Sequence, residues 1–270
     1  MSGSVIHSQS AAMVPAVYSA GQSPQLPVAI DYPAALALRQ MSMVHDELPK
    51  YLLAPEVSAL LHYVPDLRRK MLLATLWNTG ARINEALALT RGDFSLAPPY
   101  PFVQLATLKQ RTEKAARTAG RTPAGQQTHR LVPLSDSWYV SQLQTMVATL
   151  KIPMERRNKR TGRTEKARIW EVTDRTVRTW IGEAVAAAAT DGVTFSVPVT
   201  PHTFRHSYAM HMLYAGIPLK VLQSLMGHKS ISSTEVYTKV FALDVAARHR
   251  VQFAMPESDA VAMLKQLSSE

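Results

Sequence analysis

The sequence contains no cysteine among its 270 residues. This absence excludes a disulfide scaffold, a thiolate zinc site, an iron–sulfur cluster and a thiol nucleophile. No apolar run approaches the roughly 20 residues that a membrane-spanning helix requires. The first residues also lack the basic stretch and apolar segment of a secretory signal. We therefore expect a cytoplasmic protein with no membrane partner.

Acidic residues are also scarce. The chain has 20 Asp and Glu against 30 Lys and Arg, which gives a formal net charge of +10 and a sequence pI near 9.9. The excess lies in residues 51–270, which carry 28 basic and 17 acidic groups. Such a charge indicates a polyanionic partner, with nucleic acid as the first candidate. Charge that serves only solubility is the alternative.

The apolar patterning predicts an α+β fold that is mostly helical, with one small antiparallel β-sheet. The sheet is expected from strands at 102–108 and 129–134, which are joined by a long, polar and basic connection. Helical periodicity and capping residues predict the helices. These span about 31–45, 55–64, 65–78, 81–89, 138–150, 173–189, 201–214, 218–227, 233–241 and 257–267.

The composition divides the chain into three parts. Residues 1–50 are predicted to form a mostly disordered tail and one short helix, because the first 28 are rich in Ser, Ala, Gln and Pro. Residues 51–245 form the main domain. Residues 246–270 hold an amphipathic helix, which could dock on a neighbouring subunit or pack on its own domain.

Residues 151–168 contain eight basic side chains against two Glu. A run of this kind is usually a solvated loop, and here it is also the densest candidate for phosphate contact. The side chains that we predict to bind DNA in this segment are Arg156, Arg157, Lys159, Arg160 and Arg163.

Four short clusters carry side chains that can do chemistry. Arg82 and Glu85 follow a helix break at a spacing that puts both on one helical face, although such pairs are usually surface ion pairs. His202 and Arg205 lie in the first turn of a helix, where the helix dipole favours anions. The third and fourth clusters hold His228, after a helix-ending glycine, and Tyr237; alone, the former is typical of a turn and the latter of a core. The clusters gain meaning only in combination.

In this order and spacing, the clusters resemble the tyrosine recombinase (phage integrase) family. The matching segments are GARINEAL at 80–87, HTFRH at 202–206, LMGH at 225–228 and TEVYT at 234–238. The resemblance covers about residues 52–245, and within the family the chain looks close to a resolvase that a plasmid encodes. It implies the fold of the family's catalytic domain.

The resemblance also implies a role for each residue. Arg82 and Arg205 would clamp the non-bridging oxygens of the scissile phosphate, since planar guanidinium groups bind phosphate in bidentate fashion. His228 would donate a further hydrogen bond to this phosphate. His202 would support proton transfer from the attacking hydroxyl. Tyr237 would be the nucleophile, forming a 3′-phosphotyrosine and freeing a 5′-hydroxyl.

The family places its general acid, a lysine, on the hairpin between two strands. Lys109 matches best because it follows the first predicted strand, and Lys114 is the alternative. Glu85 would orient the arginines rather than act as an acid or base. The phosphotyrosine link conserves the phosphodiester energy, so the resemblance implies no cofactor and no metal.

The expected partner is a double-stranded DNA recombination site, synapsed by a homotetramer. Typical members place a helical core-binding domain before the catalytic domain, whereas only about fifty residues precede it here. The clamp on DNA is therefore reduced or missing, and an accessory DNA-binding protein could supply the missing part.

Three functions fit these residues. The first is a site-specific recombinase that resolves plasmid multimers or cointegrates and associates with the bacterial nucleoid or a plasmid. The second is a type IB topoisomerase activity, and the third is a non-catalytic, sequence-specific DNA-binding regulator of the same fold. The complete set of chemical residues favours the first over the third.

Overall fold

The computed structural model describes residues 28, 30, 32–44, 48–106, 129–158, 160–228 and 230–249, together with residues 256, 258, 259, 261 and 263. The predicted tail at 1–27, Lys109 and Lys114 in the strand connection, Lys159 and most of the predicted helix at 257–267 lie outside the described residues. The α+β fold expected from the sequence is confirmed, with helices around small antiparallel sheets.

The first half of the described chain is mainly helical. It contains α1 (Tyr32–Val44), α2 (Ala54–His62), α3 (Leu67–Thr79) and the short α4 (Ile83–Leu87). Asp66 begins α3 by accepting a hydrogen bond from the Arg69 amide at 2.8 Å, as an N-cap does. Gly80 ends α3 in the left-handed conformation, with φ of 59°.

A three-stranded antiparallel sheet follows α4. Its strands are β1 (Phe94–Ser95), β2 (Phe102–Ala106) and β3 (His129–Pro133), in the order β1-β2-β3. Alternate residues of β2 and β3 are buried, and Val103 pairs with Val132 on the inner face. Helix α5 (Ser137–Thr149) packs against α3 beside the sheet. The sequence missed β1 because two residues are too few to show an alternating pattern.

The basic segment at 151–168 is largely exposed, but the prediction that it is a loop is wrong. It forms a second antiparallel pair, β4 (Glu155–Arg157) and β5 (Thr164–Lys166). Gly162 supports the turn with φ of 67°, a conformation that glycine adopts without steric cost. The predicted loop is therefore a β-hairpin whose arginines project from strands and a tight turn.

Four helices complete the described fold. They are α6 (Asp174–Thr190), α7 (Pro201–Tyr214), α8 (Leu219–Met226) and α9 (Ser232–His249). Thr173 and Thr200 are the N-caps of α6 and α7, and Gly227 ends α8 in the left-handed conformation. Helix α9 is longer than the predicted 233–241. No described helix has the length and apolar character needed to cross a bilayer.

The buried apolar residues form two clusters. The first contains residues of the five helices α2, α3, α4, α5 and α6 and of the three-stranded sheet. The second is formed by α1, α7, α8 and α9, and it includes Ala35 of α1 and both Tyr237 and Val240 of α9. Helix α1 thus packs against the helix that carries Tyr237. The three-part division of the chain stays a prediction.

Candidate active site

Arg82 and Glu85 form the first part of the site, at the N-terminus of α4. Arg82 is the N-cap residue with an extended backbone, so it lies before the helix and not within it as predicted. Glu85 bends back, and its carboxylate accepts from the Arg82 amide at 2.9 Å and from Arg82 Nη1 at 3.0 Å. The Glu85 side chain is fully buried while 42% of the Arg82 side chain is exposed. The carboxylate therefore anchors an arginine that reaches the surface.

Arg130 of β3, which the sequence analysis missed, is the second partner of Glu85. Its Nη1 and Nη2 donate to the two carboxylate oxygens at 3.2 and 2.6 Å, and its Nε donates to the Leu225 carbonyl at 2.8 Å. Burial alone would raise the pKa of Glu85, but the hydrogen bonds and charges of Arg130 and then Arg82 outweigh burial and lower it. Glu85 is therefore an ionised carboxylate that joins α4 to the sheet.

Arg205 of α7 is buried among backbone carbonyls. Its Nη1 donates to the Gly80 carbonyl, and its Nη2 donates to the Met226 carbonyl at 2.6 Å. Burial, followed by the charge of Arg82, lowers the pKa of Arg205 to about 10, so it stays a cation at neutral pH. Two helix ends, those of α3 and α8, thus fix one guanidinium group.

His228 follows the left-handed Gly227 directly after α8. Its Nδ1 lies 2.9 Å from Oγ1 of the buried Thr234, in the first turn of α9. A Cβ at Gly227 would lie 3.0 Å from Arg130 Nη1, so the turn and the Arg130 side chain are closely packed. Burial and then the nearby arginines, Arg205 first, lower the pKa of His228 to about 4. The ring is therefore half-buried, neutral at pH 7 and directed by Thr234.

Tyr237 is 2% exposed on α9, within the second apolar cluster. Its hydroxyl lies 2.9 Å from Nδ1 of His206 on α7. Burial raises the pKa of Tyr237 to about 12, against the smaller opposing effect of Arg205 and Arg82. The sequence left two interpretations of Tyr237, a core residue or a nucleophile. The two are compatible, because the ring is packed in the core while its hydroxyl reaches the polar site.

His202 is exposed at the start of α7 and, within the described part of the chain, makes no hydrogen bond to Tyr237. Its ring packs edge to face against His206, with 4.9 Å between the ring centroids. Loss of surrounding water and the charges of Arg205 and Arg82 lower the pKa of His202. His202 and Arg205 are therefore three residues apart but differ in exposure: the first faces solvent and the second is buried.

Three guanidinium groups and one carboxylate set the charge of this site. Arg82, Arg130 and Arg205 all lower the pKa of His228, and Glu85 alone acts in the opposite direction. The excess of fixed positive charge, with neutral imidazoles beside it, suits a phosphate group. In the described part of the chain, no group of three or more His, Asp or Glu side chains is placed to hold a metal ion.

The basic hairpin divides into two kinds of arginine. Arg156 is held by Glu165 and Glu171, with N–O distances of 2.7 and 2.5 Å. Arg157, Arg160 and Arg163 are exposed, and Arg157 Nε donates to the Gly162 carbonyl at 3.1 Å. The acidic partners of Arg156 indicate a role in the hairpin itself.

The structure brings together five of the predicted residues, Arg82, Glu85, His228, Arg205 and Tyr237, with His202 at the rim. Sequence reasoning missed Arg130 and gave no role to His206. His206 was visible in the motif that also contains His202 and Arg205, but only the packing of α7 on α9 shows its partner. Arg130 had one signal: a charged residue at an inward position of the predicted strand 129–134.

Comparison with known proteins agrees with this geometry. The family model described as the Phage integrase family matches residues 50–243. A curated Escherichia coli (strain K12) protein named "Resolvase" is 97% identical over 268 residues, which cover 99% of this chain and 100% of that protein. A "Probable site-specific recombinase in afa region" from Escherichia coli is 48% identical over 244 residues, covering 90% of this chain and 92% of that one.

The fold also resembles solved structures. One is the Tn1549 transposon integrase in complex with a circular intermediate DNA, which gives a TM-score of 0.54 at 19% sequence identity. The similarity covers 81% of this chain and 66% of that chain. At this identity, the similarity shows that the two chains share a fold.

Proposed function

Because the chain belongs to the phage integrase family of tyrosine recombinases, we propose that it is a site-specific DNA recombinase that acts as a resolvase on plasmid multimers or cointegrates. The observation that carries this proposal is that the charges of Arg82 and Arg205 act on both Tyr237 and His228, so that these four residues lie in one site. The relative named "Resolvase" supports the same conclusion. The topoisomerase and regulator alternatives have no comparable support.

Phosphate binding is the task of the positive groups. The guanidinium groups of Arg82 and Arg205 contact the two non-bridging oxygens of the scissile phosphate, and His228 donates a further hydrogen bond. These groups stabilise the negative charge that grows as phosphorus becomes five-coordinate. Glu85 orients Arg82, since its buried carboxylate binds both the backbone and the side chain of that residue.

Covalent chemistry follows at Tyr237. Its hydroxyl oxygen forms a bond to phosphorus, and the bond from phosphorus to the 5′-oxygen breaks. Lys109, with Lys114 as the alternative, protonates the departing 5′-oxygen. The product is a 3′-phosphotyrosine, and attack by a 5′-hydroxyl of the partner strand reverses the steps and rejoins DNA.

Assembly completes the proposal. The DNA partner is a double-stranded recombination site, and four copies of the chain act on two synapsed sites in the bacterial cytoplasm. The segment at 246–270 either docks on a neighbouring copy or packs on its own domain, and an accessory DNA-binding protein contributes to binding of the site. Arg157, Lys159, Arg160 and Arg163 of the hairpin contact DNA phosphates.

Capture of a covalent adduct tests this function. The protein is incubated with restriction fragments of the replicon that encodes it, denatured with detergent, and the DNA that stays bound to protein is sequenced. A discrete cleavage site linked through a 3′-phosphate to Tyr237 supports the proposal. Tyr237→Phe is the matched control, because it removes the nucleophile but no positive charge.

Binding to the identified site should stay within a few-fold in Tyr237→Phe while the adduct disappears. An adduct of normal yield in this variant would place the nucleophile elsewhere. Relaxation of supercoils without exchange between two copies of the site would show a topoisomerase instead.

A further inference from the structure

The Tyr237 hydroxyl has one hydrogen-bond partner within the described residues, and it is His206. The distance from His206 Nδ1 to the hydroxyl oxygen is 2.9 Å, and the two rings lie 5.6 Å apart at 60°. This is direct contact with the atom that attacks phosphorus in the proposed function. His202, to which the family resemblance assigns support of this proton transfer, contacts the ring of His206 instead.

The attacking oxygen needs a proton acceptor. Burial raises the pKa of the Tyr237 hydroxyl to about 12, so spontaneous ionisation at neutral pH is rare. His206 is neutral under these conditions, because burial and then the adjacent His202 and Arg205 lower its pKa to about 4. In the tautomer with its proton on Nε2, Nδ1 carries a free lone pair that can accept from the Tyr237 O–H.

We infer that His206 is a catalytic residue, the general base that takes the proton of Tyr237 in strand cleavage, with His202 as a positioning residue that packs on its ring. This inference rests on the proposed function. The O–H bond of Tyr237 breaks and its proton passes to His206 Nδ1 while the oxygen bonds to phosphorus. The general acid protonates the departing 5′-oxygen. In rejoining, His206 returns the proton to the tyrosine oxygen.

The surroundings of His206 suit this exchange. The ring borders an open cleft of about 370 Å³ that is also lined by His202, Thr200 and Lys50. The open cleft gives water or a small base access to the ring. Burial and the charge of Arg205 oppose a proton on His206 before attack, and the negative charge that grows at the reaction centre offsets this opposition during attack.

The experiment measures single-turnover adduct formation on a suicide duplex built on the captured site, with a nick near the cleavage position. His206→Asn is the decisive variant, because its Oδ1 can accept the same hydrogen bond but cannot take the proton. We expect the rate of adduct formation to fall by about 10²–10⁴-fold, the usual contribution of a general base. His211→Asn on the same helix is the control and should keep the wild-type rate, since His211 packs on Trp77 away from the site.

Rescue separates proton transfer from packing. In His206→Gly, imidazoles of similar size and graded basicity should restore adduct formation through the open cleft, and the restored rate should increase with basicity. Rescue that is independent of basicity would show that the ring only fills space and would overturn the inference. A near wild-type rate in His206→Asn would overturn it as well.

The proposed function is checked in the same gels. A wild-type adduct that is lost in Tyr237→Phe, together with a normal rate in His206→Asn, overturns the role of His206 alone. Failure of the wild-type protein to form any adduct overturns both.

Discussion

Arg130 binds both oxygens of the buried Glu85 carboxylate, so a strand and a helix N-terminus meet in one bidentate ion pair. The side chain of Glu85 has no exposed surface, and that of Arg130 is 8% exposed. Since Glu85 also binds Arg82, this carboxylate connects β3 to an arginine at the surface and fixes the position of one relative to the other. A third hydrogen bond joins Arg130 to the end of α8, just before His228.

Arg130→Met should strongly destabilise the protein, because the buried Glu85 carboxylate loses its bidentate partner and retains the partly exposed Arg82. Removal of one partner of a buried ion pair costs about 3–5 kcal/mol. In the double variant Glu85→Gln/Arg130→Met no unpaired charge is buried, and most of this loss should be recovered. Urea unfolding of the wild type, both single variants and the double variant measures the coupling.

The exposed pair of Arg69 and Glu183 provides the control, since their side chains are 41% and 58% exposed. Glu183→Gln should cost no more than about 1 kcal/mol from loss of this ion pair, and it leaves the contact of Arg69 with Trp180 in place. Additive effects of the Glu85 and Arg130 substitutions would contradict the role of a charge-compensating pair.

Gly80→Ala should impair both stability and cleavage. An added Cβ would lie 2.3 Å from Tyr208 Cδ1, and the φ of 59° is strained for alanine. Strain of about 1–2 kcal/mol and overpacking of about 1–3 kcal/mol should add. Because the Gly80 carbonyl holds Arg205, adduct formation should fall even where the variant is fully folded.

Gly192→Ala is the matched control for Gly80→Ala. Its φ is 79°, yet a Cβ there meets nothing within 4 Å. Only the strain contribution is expected in urea unfolding, with normal adduct formation. If the two substitutions reduced cleavage equally, Gly80 would have no specific role in positioning Arg205.

The arginines of the basic hairpin should differ in their effect on DNA binding. Arg160→Ala/Arg163→Ala removes two exposed cations, so the slope of log affinity against log salt should become shallower by about 0.9 for each phosphate that the variant no longer binds. Arg156→Ala should change this slope little, because Arg156 is paired with Glu165 and Glu171. Titrations of the captured site at several salt concentrations measure both; identical slopes for the two variants would remove the distinction.

Stability should decrease as the pH falls from about 6.5, the ordinary histidine pKa, toward the pKa of about 4 of His206 and His228. In this interval the unfolded chain binds protons that the folded site excludes, so protonation favours unfolding. The lowered pKa of Glu85 extends the loss below 4.5, because protonation of its carboxylate weakens the Arg130 ion pair.

Urea unfolding at pH 7 and pH 5 checks this dependence. His206→Asn should reduce the difference between the two pH values, whereas His62→Asn at an exposed position serves as the control for removal of a histidine. A stability that increases on acidification would show that the folded site takes up these protons.

Sequence alone predicted the helical frame well. Thr173 and Thr200 cap helices that begin where the sequence predicts, because a cap depends on a few neighbouring residues. Arg82, Arg205, His228 and Tyr237 were selected by their motifs. The contact of Arg82 with Glu85 is local and follows from their spacing, whereas the contacts of Arg205 and Tyr237 depend on packing between elements that are far apart in the chain.

The residues that were missed show the same limit. Arg130 contacts Glu85 only after β3 has paired with β2 and faces α4. This contact therefore cannot be predicted from the residues next to Arg130 in the sequence. His206 is one of several helical histidines until α9 packs on α7. The short β1 and the β4–β5 hairpin were not predicted for another reason: strands of two or three residues show too little periodicity to be recognised.

The packing of α1 against α9 affects how the molecule forms. These are the first and last helices of the described fold, so their shared apolar cluster closes a large loop of chain and is a contact of high sequence separation. During translation, α1 leaves the ribosome long before Tyr237 does. An incomplete nascent chain therefore carries arginines that can attract DNA but lacks Tyr237, and under the proposed function it would gain the ability to cleave only when α9 docks.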